Sequence, residues 1–321
     1  MNTQDDKTEY RLFLQTVERR VSELVGKELK GEYEIVCDTV LKNNSVELDA
    51  LAIREYGALS APNIFLNPFY REYLKGMDIG SISREIVDTY LENKDRLDTR
   101  SFGSFMFEEQ KDRVYFKLVN ANLNRSLLEQ LPHIVKGDLA LIFSCLVEHG
   151  QDGIASVRID NPLTEKWNTC PQELYELAKK NTARLFPPKI FKLNRQNMHF
   201  LLEHRMSDGG IENLLDGTED AATGDECFKD GFPVMYVLTN TDGVDGAACI
   251  AYDGMPERIR RRLGVDFYVL PSSVHEVIIL PDDKSADVQA LNRMVEEINS
   301  SVVAEMDVLS NRVYHFPEDM F

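Results

Sequence analysis

Ser272-Ser273-Val274-His275-Glu276 is the tightest grouping of reactive side-chain types in the chain. A serine nucleophile needs a base within hydrogen-bond reach and a third group that orients the base. In an extended strand Ser273 and His275 share a face, because side chains repeat every two residues, and Glu276 faces the other way. A carboxylate from elsewhere would have to orient His275. Neither serine sits in a Gly-x-Ser-x-Gly elbow. The same residues have a plain structural reading, in which Ser272 and Ser273 shape a turn and bond its backbone while His275 lines up with Val277 and Ile279. No residue is therefore assigned as catalytic. Ser273 and His275 are the candidates for catalysis. Ser272, Ser273, His275 and Glu276 are the candidates for contact with a ligand or partner.

Other chemistry is sparse. The six histidines include no His-Glu-x-x-His, and His199 and His204 do not stack one turn apart on a helix. The five cysteines form no Cys-x-x-Cys pair, and Cys145 and Cys249 read as core residues. No phosphate loop and no strand-linked Gly-x-Gly-x-x-Gly is present. The acidic, glycine-rich stretch 206–231 lacks calcium-loop spacing and reads as a mobile loop. No metal and no cofactor is expected.

These candidates sit in a chain of 321 residues with net charge −18. At roughly 100–200 residues per domain this suggests two units, divided near residue 110: a helix and hairpin unit over 1–110 and a domain over 111–321. Hydrophobic residues make up 43%, enough for a core without staples. An odd, scattered cysteine count fits a reducing compartment. The polar N-terminus carries no leader pattern, and no apolar run approaches the length of a membrane span. The cytoplasm is the expected location, with no membrane contact. The negative field opposes a phosphate backbone, so direct nucleic-acid binding is not expected. The basic cluster Arg258, Arg260, Arg261 and Arg262 reads as the solvated side of a helix.

Apolar periodicity predicts a helix over 5–26 ended by Gly26, then a hairpin of 33–40 with 46–53 around Lys42-Asn43-Asn44-Ser45. Further helices are predicted from Pro68 and over 81–97, the latter capped by Ser81 or Ser83. Phe102, Phe105 and Phe107 read as a packing stripe. Beyond residue 110, strands are expected at 113–119, 138–147, 154–159, 232–239, 247–252, 267–270 and 274–280. Asn240–Gly246 is read as a hairpin loop. Helices are expected at 126–131, 171–185, 256–263 and 287–303. The last would bury Val288, Leu291, Met294, Val295, Ile298 and Val302. Residues 126–186 and 256–303 share the order helix, strand, strand, helix, with poor residue identity, which fits either an internal repeat or simply a common α+β grammar. The fold class is α+β, with a helix-rich N-terminal unit carrying a small β-hairpin and a C-terminal unit of antiparallel strands covered by helices.

Lys42-Asn43-Asn44, Pro62-Asn63-Ile64-Phe65-Leu66 with Tyr70, Tyr73 and Gly76, Leu177-Ala178 to Asn181-Thr182, and Tyr268 to Glu276 together resemble an uncharacterised domain-of-unknown-function family. That family occurs in anaerobic Firmicutes, often on mobile elements and in phage-related regions. Residues 113–303 are also distantly similar to a second uncharacterised Firmicutes family of cytoplasmic proteins, chiefly through the Pro-Ser-Ser-Val-His-Glu turn. Neither resemblance implies an activity, a cofactor or catalytic residues.

The expected function is that of a non-enzymatic cytoplasmic protein that binds another macromolecule, in a mobile-element setting, with a protein partner of unknown identity. One alternative is a hydrolase or small-ligand enzyme centred on Ser273 and His275. Another is an acidic mimic of nucleic acid. The sequence does not specify an oligomeric state.

Overall fold

The computed structural model describes residues 3–56, 61–94, 105–150, 153–193, 213–215, 227–229, 232–271 and 273–317. By its contacts the chain divides into two units, Met1–Lys42 with Val46–Phe105, and Asn43–Ser45 with Met106–Phe321.

In the first unit α1 (Thr3–Glu28) buries Phe13, Val17, Val21 and Val25, spaced three or four residues apart like the rows of a helix face. The helix runs past Gly26, the expected stop. A glycine inside a helix costs about 1 kcal/mol, and the apolar stripe carries α1 through it. β1 (Tyr33–Leu41) and β2 (Glu47–Glu55) form the expected hairpin, and the short β3 (Asn63–Phe65) adds to the far side of β2. α2 (Asn67–Leu74) has proline in its first turn. α3 (Ile79–Asn93) is capped by Asp78, whose carboxylate accepts the Ser81 N–H at 3.1 Å. Ser81 and Ser83, the caps expected from sequence, lie inside the helix, and Ser83 returns its hydroxyl to the Ile79 carbonyl. Ile82, Ile86, Val87 and Tyr90 of α3 meet the α1 stripe and Leu51 and Ile53 of β2 in one core.

The second unit begins with α4 (Phe107–Gln110), whose Phe107 ring lies 5.5 Å from that of Trp167. β4 (Val114–Asn120), α5 (Arg125–Leu128), β5 (His133–Lys136), β6 (Leu139–Gly150) and β7 (Gly153–Arg158) follow. Their antiparallel sheet has the order β4-β6-β5, with β7 also beside β6. α6 (Asn161–Lys166) and α7 (Pro171–Leu185) lead into β8 (Pro188–Lys192). β9 (Phe228–Lys229) and β10 (Phe232–Pro233) make a separate short ladder. β11 (Tyr236–Asn240), α8 (Met255–Leu263), β12 (Phe267–Leu270), β13 (Val277–Pro281), α9 (Val288–Ser301) and β14 (Tyr314–Phe316) complete the unit. Their antiparallel sheet has the order β14-β12-β13-β11-β8. The fold is thus α+β, with the N-terminal helices and hairpin and the C-terminal antiparallel sheets that the sequence implies.

Three expectations change. Residues 247–252 are not a strand: Gly246–Ala251 is a 3-10 helix with Ala247, Ala248, Cys249 and Ile250 all buried. A short run buried on every side has no period, so strand and helix look alike in sequence. Asn240–Gly246 therefore leads into that helix and is not a hairpin loop. On α9 only Val295 of the expected stripe is buried, while Val288, Met294 and Ile298 are each 40% exposed and Val302 57%. The buried seam instead takes in Asn299, whose amide donates to Ser310 O at 3.1 Å and Asn311 Oδ1 at 2.7 Å, and this turns the neighbouring apolar residues outward. Finally, 126–186 carries β5 and α6 beyond the order helix, strand, strand, helix. The two sheets nevertheless share a grammar, because β6 lies between β4 and β5 as β13 lies between β11 and β12.

A buried amide network holds the second unit's periphery to its sheets. Asn124, fully buried, donates to Asn44 Oδ1 and Asn120 O and accepts the Asn44 N–H at 2.8 Å. The Asn44 amide reaches the Glu305 and Val308 carbonyls, and Asn120 reaches that of Leu309. Ser310 and Tyr314 both donate to Asp138 at 2.6 Å. Truncating one member strands several buried partners. Asn124→Ala is expected to lower unfolding stability by about 2–3 kcal/mol. The neighbouring Asn122→Ala should change it by less than about 0.5 kcal/mol. Urea unfolding monitored by circular dichroism measures both, and equal midpoints for the two variants would refute the role given to the network.

Candidate functional site

The segment Ser273–Glu276 joins β12 to β13 and is not itself a strand. Ser273 makes an isolated bridge with Val308, and the Val274 N–H donates to Asp307 O at 2.8 Å. On the other side the Ala247 N–H donates to Val274 O at 3.1 Å. The segment is therefore held between the turn at 245–247 and the stretch 307–308. The alternation that paired Ser273 with His275 on one strand face does not apply to it. Ser272 lies outside the described residues.

Ser273 is 1% exposed, and its Oγ accepts the backbone N–H of His275 at 2.9 Å. That hydroxyl fixes the turn. The His275 carbonyl accepts the Thr239 hydroxyl at 2.8 Å. Its ring accepts the Asp245 N–H at Nδ1, 3.2 Å away, and presents Nε2 to Asp307 Oδ1 at 3.5 Å. Asp307 is the orienting carboxylate that the sequence alone did not reveal, because it lies in a polar stretch far along the chain. Glu276 is buried at 2% exposure. The structure thus brings His275 together with Asp307 and the 245 turn, while the Ser273 hydroxyl is engaged by backbone.

Three basic side chains meet carboxylates around the turn Asn240–Gly246. Lys117 of β4 lies 2.7 Å from Asp245, and His149 of β6 lies 2.7 Å from Asp242. His275 and Asp307 form the third pair. Burial opposes the charged form of Lys117, but Asp245 and Tyr115 outweigh it and raise its pKa. For His275 burial likewise pulls the pKa down. The hydrogen bond and charge of Asp307, with Asp245 and Glu276 behind them, carry it above the ordinary histidine value.

Gly246 closes the turn. A Cβ there would strike the Thr239 hydroxyl, with His275 O at 2.5 Å and Asn240 N at 2.7 Å. The preceding Asp245 is left-handed, at φ 54. This close approach explains why the Asp-Gly spacing is needed without invoking a ligand.

A crevice beside the turn, lined by Tyr115, Phe116, Thr182, Phe186, Asp245 and Tyr252, has room for about one water. Sites for small metabolites need roughly 300 Å³ or more. Among the described residues no group of three or more His, Cys, Asp or Glu is placed to hold a metal ion. Cys145 and Cys249 are buried, and burial pushes both thiols up to about 12. The basic cluster on α8 is used internally: Arg258 and Arg262 donate to the Leu215 and Leu214 carbonyls, and Arg260 pairs with Asp266 at 2.7 Å. His199, His204, Phe102 and most of 206–231 lie outside the described residues. No helix among the described residues is long and apolar enough to cross a membrane.

Two outcomes follow from this geometry. Gly246→Ala meets backbone and should cost more than about 2 kcal/mol of unfolding stability. Gly26→Ala, in open helix, should raise stability by about 0.5–1 kcal/mol. Thermal unfolding of both variants checks the contrast. Folded His275 titrates above its unfolded value of 6.5, because the pairing of the charged ring with Asp307 outweighs the Asp245 N–H bond that Nδ1 gives up on protonation; its stabilising charge is fully present below that pH and is lost as pH rises through the folded value. The stability lost in His275→Gln should therefore be larger at about pH 5.5 than at about pH 8.5. An equal loss at both would contradict the pairing with Asp307.

The model of DUF5688, a family of unknown function, matches residues 10–318, and the chain belongs to that family. No curated protein and no solved structure matches the chain.

Proposed function

We propose that this member of DUF5688 is a non-enzymatic cytoplasmic protein that acts by binding another macromolecule, a protein of basic character. The observation that carries this reading is the fate of the best catalytic candidates. The Ser273 hydroxyl accepts a backbone N–H inside a turn, and the His275 ring is held between the Asp245 N–H and Asp307. A relay for nucleophilic attack needs the hydroxyl proton to reach the ring and an open cavity for substrate. The neighbouring crevice has room for only about one water. The net charge of −18 favours encounter with cationic partners and opposes nucleic acid. The bacterial, mobile-element setting rests on the resemblance carried by Lys42-Asn43-Asn44, the Pro62–Leu66 motif and Tyr268–Glu276.

The reading is tested by affinity capture from a native host, with an unrelated acidic protein of similar size as control. A basic protein enriched on this chain alone, and released by salt, is the expected result. Broad hydrolase profiling of the wild type beside His275→Ala is the counter-test. Turnover lost in His275→Ala, with the fold intact by circular dichroism, would reject the proposal in favour of an enzyme centred on Ser273 and His275.

A further inference from the structure

The nine residues of β1 form one edge of the sheet β1-β2-β3. Their pairing fixes which backbone groups are spent. Tyr56 N–H donates to Glu32 O, and Lys42 N–H donates to Val46 O, each at 2.8 Å, and the register between them is unbroken. Directly opposed residues in an antiparallel pair alternate between bonded and non-bonded. The even residues Glu34, Val36, Asp38 and Val40 therefore exchange bonds with β2. The odd residues Tyr33, Ile35, Cys37, Thr39 and Leu41 direct their N–H and C=O groups away from it. Among the described residues no strand pairs with that side. Thr39 confirms the direction, because its N–H is taken by the neighbouring Asp38 carboxylate at 2.8 Å.

The side chains describe the occupant. Tyr33 and Ile35 turn toward the helices and pack on the core of the first unit. The other face alternates acid and aliphatic, with Glu34 and Asp38 exposed and Val36 and Val40 half-buried between them. Glu34 pairs with Arg54 at 3.7 Å, an exposed contact of little strength. Glu18 and Asp49 add negative charge around Cys37, whose thiol is raised to about 12 by burial and then by those carboxylates. A second copy of β1 would bring Glu34 and Asp38 onto their own like charges, which opposes self-pairing. A strand with lysine or arginine at alternate positions and small aliphatics between them meets the same row with opposite charge.

We propose that β1 is a docking edge for an extended basic peptide segment of a partner protein, which adds to the sheet as a fourth strand. Main-chain hydrogen bonds to the odd residues, save the Thr39 N–H that Asp38 already holds, supply affinity, and the Glu34 and Asp38 carboxylates select basic side chains. This rests on the interaction reading above and names its site and partner class.

The test uses the full chain and synthetic peptides as long as β1. One alternates lysine with valine, one alternates glutamate with valine, and a third is the basic peptide N-methylated on the residues that would donate to β1. Fluorescence anisotropy should show salt-sensitive binding of the basic peptide, weakened about tenfold or more by N-methylation or by a Glu34→Lys/Asp38→Lys double variant, with no binding of the acidic peptide. Bound peptide should also slow alkylation of Cys37. Cys37→Pro removes an outward N–H without breaking the β1–β2 ladder and should weaken binding similarly. Equal binding of the N-methylated peptide, or unchanged binding by a folded Cys37→Pro protein, would overturn strand addition. Dimerisation in sedimentation that Cys37→Pro abolishes would replace the peptide with a second copy. A partner captured as strongly by Cys37→Pro as by wild type would refute this edge while leaving the broader interaction reading intact.

Discussion

The second unit depends on the cost of burying an amide without partners. Asn124 has no exposed surface, and each of its polar atoms is matched by Asn44 or Asn120. Once those amides are inside, the stretch 304–310 has one arrangement available, because its carbonyls are the acceptors that satisfy them. That stretch in turn supplies Asp307 and the bridge at Val308, which set the position of Ser273 and His275. The candidate site is thus downstream of a buried polar network. Such networks select a single packing more than they add net stability, since each bond replaces one to water.

The two antiparallel sheets of this unit face the same problem with the same solution. In each, one strand inserts between the two that precede it in the chain, so the apolar strands β6 and β13 are paired on both sides. Their residues are buried almost continuously, as in Leu139–Leu146 and Val277–Ile279. The contacts around the turn Asn240–Gly246 join the sheets, since Lys117 and His149 come from β4 and β6 while the turn leaves β11.

Long periodic elements were legible from sequence. α7 occupies the stretch that its proline start and apolar spacing predict, and the β1–β2 hairpin follows from alternation around an asparagine-rich turn. α9 starts where its apolar spacing predicts, and Asp287 caps it. What escaped were features set by tertiary contact. Short β5 and β8 carry little pattern of their own, and Gly246–Ala251 is apolar on every side. The rotation of α9 is decided by Asn299, a residue that solvent exposure would explain equally well in sequence. At the site, the histidine and serine were legible as residue types. Their orientation was not, because Asp307, Thr239 and Asp245 reach them through the fold.

The contact between Asn44 and Glu305 has a consequence in time. Its two residues are 261 positions apart. At about 5–20 residues per second, a ribosome delivers the second partner roughly tens of seconds after the first. Until then the buried amides of Asn44 and Asn124 lack part of their complement, and the turn that shapes Ser273 and His275 has nothing to lean on. The first unit draws its core from residues made early and can form while synthesis continues. The second unit closes only when its last stretch arrives, and its apolar strands spend that interval unfinished and open to wrong pairing.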